Sequence, residues 1–72
     1  MLASEEELVE RLMREDQEFL KAKEAHTQLA DQIEELEKKP FITPQDEIDI
    51  KVLKKKKLAY KDQMERILLK YR

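Results

Sequence analysis

The sequence predicts an all-α protein: an antiparallel two-helix hairpin, coiled-coil-like, that associates into a helical bundle. Three observations carry that prediction. Seam residues recur every seven positions on both sides of one break. Leu12, Phe19, His26 and Ile33 form one set, and Leu8, Ala22, Leu29 and Leu36 interleave with them, Glu15 being the polar interruption. Beyond the break Ile50, Leu53, Tyr60, Met64, Ile67 and Tyr71 continue the pattern. The chain has no Gly and is 44% charged and 40% hydrophobic, a balance that suits long exposed helices. Finally, Lys39 to Asp46, with Pro40 and Pro44, is the only stretch that must interrupt a helix.

The first helix is expected over 4–38. Ser4-Glu5-Glu6-Glu7 reads as a capping box, in which the Ser hydroxyl accepts a first-turn N–H and Glu7 reaches back. Glu7–Arg11, Glu10–Arg14, Glu34–Lys38 and Glu35–Lys39 are i,i+4 pairs in the favourable order, each contributing ~0.3–0.5 kcal/mol. Pro40 drives Lys39 out of the helical region and ends the helix.

A bend over 39–43 follows, and the second helix is expected over 44–70. Thr43 is its N-cap, Pro44 suits the first helical position, and Asp46 stands three residues after the cap. So short a connection makes the helices antiparallel neighbours. With the turn near Thr43, Leu36 meets Ile50, Ile33 meets Leu53, His26 meets Tyr60, Ala22 meets Met64, and Phe19 meets Ile67. The whole chain, 1–72, is one helical-hairpin domain. Its first helix is the longer, so Leu8, Val9, Leu12 and Met13, together with Leu2, project past the second. These four, and Phe41 and Ile42 in the bend, are the candidate interaction residues. The bend pair either folds back over the end of the seam or forms a docking tip.

Charge is lopsided around a net of −2. Residues 1–39 hold 12 acidic and 6 basic groups, hence −6, and residues 40–72 hold 5 and 9, hence +4. Opposite charge favours pairing of the two helices and disfavours parallel pairing of like copies. Off-seam apolar residues, Leu20, Ala30, Leu58 and Leu68, point to a further partner. A homo-oligomer, most simply a dimer, is expected, or else another helical protein.

Other function classes find little support. There is no Cys, so no disulfide framework and no thiolate chemistry. No cofactor and no metal are expected: His26 is the sole His, and no second ligand stands at a metal-site spacing. On the seam His26 reads instead as a register-fixing imidazole, hydrogen-bonded to Tyr60, whose protonation near pH 6 loosens the assembly. No Gly loop, nucleophile motif or concave pocket suggests an enzyme or a small-molecule substrate. No apolar run reaches membrane length and the N-terminus lacks a signal-peptide pattern, so a cytoplasmic protein is expected. The Lys54–Lys57 run, with Lys51 and Lys61, raises nucleic-acid binding as the alternative. Successive helical residues lie ~100° apart, so Lys54, Lys55, Lys56 and Lys57 do not make one face, and no aromatic platform accompanies them.

The spacing of Phe19, His26, Leu29, Ile33 and Leu36 is F-x6-H-x2-L-x3-I-x2-L. The second helix reads Leu53-Lys54-Lys55-Lys56-Lys57-Leu58-Ala59-Tyr60-Lys61-Asp62-Gln63-Met64. Together these resemble the YdcH-like family, whose second helix reads close to L-K-K-x-x-L-x-x-K-D-x-[IM]. The resemblance runs from about Leu8 to Tyr71. It implies a small bacterial helical-hairpin protein of unassigned biochemical function, and it carries no catalytic or binding residues with it. The bend Pro40-Phe41-Ile42-Thr43-Pro44 is more apolar than the family's usual Gly- or Asn-containing one.

Overall fold

The computed structural model describes residues 2–71, with side chains from Glu5 onward. It is all-helical: α1 spans Leu2–Glu15, α2 Gln17–Glu37 and α3 Pro44–Tyr71. The predicted class holds, but the single first helix does not. A straight helix from Leu2 to Glu37 would measure ~54 Å at 1.5 Å per residue, and the longest axis of the molecule is 43 Å. The chain is redirected at Asp16.

Asp16 lies in extended conformation, φ −117° and ψ 107°, and caps α2: its carboxylate accepts the Phe19 N–H at 3.1 Å. Its own N–H still donates to the Leu12 carbonyl at 2.8 Å, and its carbonyl accepts from the Leu20 N–H at 3.0 Å. The break therefore leaves no backbone group of Asp16 unpaired. Its physical reason is burial. Leu8, Val9, Leu12 and Met13, expected to project as an exposed interaction surface, instead pack with Phe19, Met64, Ile67 and Leu68. Leu12 is 2% exposed and Phe19 1%. Leu68, placed off the seam by its period, is buried in the same cluster. α1 starts at Leu2, earlier than expected, and the side chains of Leu2 and Ser4, the latter expected to cap it, lie outside the described residues.

Toward the bend, Ala22, Leu29 and Ile33 of α2 and Ile50 of α3 are buried. Glu37 reaches Lys54 at 3.4 Å, and Gln63 donates to Glu18 at 3.2 Å. These links join the C-terminal end of α2 to the first half of α3, and the start of α2 to the second half of α3.

The bend is fixed by local hydrogen bonds. Thr43 Oγ1 accepts the Asp46 N–H at 3.0 Å, and Asp46 Oδ2 accepts the Thr43 N–H at 3.1 Å, a reciprocal cap around Pro44. Lys39 Nζ lies 2.9 Å from the same Asp46 oxygen, tying the end of α2 to the start of α3. Lys39 was expected to pair with Glu35, and the Asp46 carboxylate, 7% exposed, claims it instead. Phe41, 83% exposed, does not fold back over the seam, whereas Ile42, 44% exposed, shares a groove with the seam residue Ile50.

The Lys39 ammonium, and next the Thr43 N–H, hold the Asp46 carboxyl below the ordinary carboxylate range. A carboxyl with a lowered folded pKa stabilises the fold above its unfolded pKa and loses that contribution as pH falls through the folded value. Thr43→Ala should lower the unfolding free energy by ~1 kcal/mol, read from urea titrations at neutral pH. Asp46→Asn should flatten the acid limb of the stability curve below the ordinary carboxylate range. An unchanged midpoint for T43A would show that the cap is not holding the bend.

Candidate functional site

The lysine run divides as its 100° spacing requires. Lys51, Lys54, Lys55, Lys56 and Lys61 are exposed, and Lys54 pairs with Glu37. Lys57 sits at a seam position, half-buried. The run therefore presents no continuous basic face.

Three open grooves flank the α2–α3 contact. One, of about 580 Å³, lies toward the bend between Glu35 and Leu36 of α2 and Asp49, Val52 and Lys56 of α3. A second, of about 440 Å³, has Ile42, Glu47 and Lys51 on its walls. The third, of about 410 Å³, occupies the middle of the molecule and draws on every helix: Val9 of α1, Lys23 and His26 of α2, and Lys57, Lys61 and Met64 of α3. Lys23 was not among the predicted site residues. Its signal was available, since it stands three residues before His26 and so shares a helix face with it.

His26 is half-buried in this third groove. The pairing with Tyr60 expected from the register is not made: Tyr60 is 36% exposed, and His26 forms no hydrogen bond among the described residues. The imidazole faces lysines instead. Burial, and then Lys57, Lys23 and Lys61 in that order, push its pKa below the ordinary value. Charging it adds a fourth cation to three. Glu15, the polar interruption of the seam, pairs with Arg11 at 3.4 Å one turn back on α1.

Among the described residues, no group of three or more His, Asp or Glu is arranged to hold a metal ion. No helix among them is long and apolar enough to cross a membrane. The remaining predicted site residues separate into two kinds. Leu8, Val9, Leu12 and Met13 are brought together, Leu12 as buried core and the other three partly buried against it. Phe41 and Ile42 are exposed at the bend, and on α3 Ile48 and Val52, one turn apart, face solvent at 55% and 46% exposure.

A family model described as a protein of unknown function, DUF465, matches residues 19–68. That span starts at Phe19, takes in α2 almost whole and most of α3, and leaves α1 outside. No curated protein and no solved structure matches the chain.

Proposed function

The chain belongs to the DUF465, or YdcH-like, family of small uncharacterised proteins, and from that premise we propose that it is a cytoplasmic helical assembly module, not an enzyme, whose partner is a second copy of itself. In this reading α2 and α3 act as an antiparallel hairpin, and two hairpins pack about a two-fold axis into a four-helix bundle. The cross-links Glu37–Lys54 and Glu18–Gln63 support the hairpin. The observation that carries the assembly is unburied surface. The chain exposes 5824 Å², whereas a compact monomer of its 8.7 kDa would expose ~4,700 Å². The excess is on the order of the ~800 Å² that each partner contributes to a stable interface. Ile48 and Val52 stand on the outer face of α3, where a second chain would cover them. Charge complementarity supplies the orientation: the basic C-terminal half of one copy meets the acidic N-terminal half of the other.

The test is mass by light scattering on a sizing column, over a hundredfold range of concentration. A dimer is expected, and Ile48→Glu with Val52→Glu should return a monomer of unchanged helicity by circular dichroism. A wild-type monomer at every concentration would overturn the proposal. So would retention on a nucleic-acid column at low salt that Lys54→Glu, Lys55→Glu and Lys56→Glu abolish, which would move the function to the basic side of α3.

A further inference from the structure

The central groove has a feature that packing does not require. Elsewhere on the seam Ala22, Leu29, Ile33 and Ile50 are buried, Leu36 and Leu53 are half-buried, and Tyr60 is exposed. At its middle stand His26 and Lys57. An apolar residue at position 57 would be the stabilising choice for a seam, and a lysine there must extend its stem along the helix to keep its ammonium wet. Two more ammonium groups, Lys23 from α2 and Lys61 from α3, line the same space. None of the three lysines makes an ion pair among the described residues, although the first 39 residues carry 12 carboxylates. Elsewhere the chain does pair its cations, as at Lys38–Glu34, Lys39–Asp46 and Lys54–Glu37. Against these basic groups the lining sets one carboxylate, Glu65, so the groove stays net positive and an anion would offset the excess.

The remaining walls set the shape of what could join. Val9 and Met64 give the groove an apolar side at the end where α1 packs. Its volume, about 410 Å³, lies within the ~300–1,000 Å³ typical of small-molecule sites. Glu65 also lines it and marks the side on which an anion would not sit. We infer that this groove binds a small amphiphilic anion, its carboxylate or phosphate head held by Lys23, His26, Lys57 and Lys61 and its apolar body lying along Val9 and Met64. The occupant is a ligand and not a substrate, since the groove offers no group placed to transform it. The site lies within one chain, so it stands whether or not two chains associate. Burial first, and then Lys57, Lys23 and Lys61, lower the His26 pKa, so the lysines add to what burial begins.

His26 is the only histidine, so its ring protons report the site without ambiguity. They are followed by NMR across pH on the full chain, at constant ionic strength and at a concentration where it is monomeric. Octanoate below its micellar concentration, acetate, inorganic phosphate and octanol are added in turn. The groups that face the imidazole are Lys23 of α2 and Lys57, Lys61 and Glu65 of α3, while α1 offers only Val9. Octanoate is expected to raise the His26 pKa toward the ordinary 6.5 with saturation, and to bind at least ~10-fold more tightly than acetate, about 1.4 kcal/mol. Lys57→Met should abolish that shift and, without ligand, melt no lower than the parent. Lys61→Gln should weaken binding in the same direction, should K57M fail to fold. No shift with octanoate or phosphate would overturn the site, and so would a shift that survives in both lysine variants. Equal shifts from acetate, phosphate and octanoate would show an adventitious ion only and overturn the amphiphile.

Discussion

Replacing Phe19 by alanine is expected to lower the unfolding free energy by about 4 kcal/mol, the usual range for deleting a buried aromatic being ~3–5 kcal/mol. Phe19 is 1% exposed and is the point at which three helices meet. It opens α2 directly after the Asp16 cap, and it packs with Leu12 of α1 and with Ile67 and Leu68 of α3. A cavity there cannot close by a local shift, because each wall belongs to a different helix. Single domains are stable by only ~5–15 kcal/mol, and small cores fall at the low end of that range. F19A should therefore unfold at low urea, or populate the unfolded state in buffer, when followed by circular dichroism. A loss below ~1 kcal/mol would mean that the cavity refills at no cost and that this end is not the principal core.

Leu12→Ala should cost somewhat less, about 3 kcal/mol against a usual ~2–5 kcal/mol, and its effect should be local. α1 joins the molecule through Leu12 with Leu8, Val9 and Met13 around it, and Leu12 is the only one of the four that is fully buried. Once Leu12 is shortened, the free energy that docks α1 falls toward zero while α2 and α3 keep their own contacts at Leu29, Ile33 and Ile50. Amide exchange reads the difference. α1 amides should lose their protection, and amides around Leu29 and Ile33 should keep most of theirs. Uniform loss throughout the chain would show that the three helices unfold as one unit and that α1 is not separately attached.

The two ends of the bend were legible in the sequence because they are local. Thr43, Pro44 and Asp46 form a cap whose bonds span three residues, and the structure makes both of them. The seam was legible from its period at Phe19, Ala22, Leu29, Ile33, Ile50 and Ile67, all of them buried. The break at Asp16 was not read, because no Pro or Gly announces it and the heptad passes through it in phase. Its signals were weaker ones: Glu15 as the polar interruption, then an Asp followed two residues later by Glu18, the composition of a helix start. What decides between a straight rod and a fold-back is the burial available to Leu12 on Ile67 and Leu68, residues more than fifty positions away. The central groove was half legible. His26 and Lys57 fall on the seam by period, but their convergence with Lys23 and Lys61 depends on cross-helix register, which no single helix encodes. Phe41 and Ile42 are exposed in a bend whose path is held by the Thr43–Asp46 cap and the Lys39–Asp46 link.

Asp16 keeps both of its backbone hydrogen bonds while lying outside the helical region, so two dihedral angles at one residue set the direction of the fourteen residues of α1. Turning that pair to helical values would swing α1 like a lever about a single pivot. The molecule would change from a 43 Å block to a rod of ~54 Å along its first two helices, and Phe19, Ile67 and Leu68 would be laid bare together. The length of this protein, and whether this apolar cluster faces inward, thus turn on one joint, held at rest by the Asp16 cap and by the burial of Leu12.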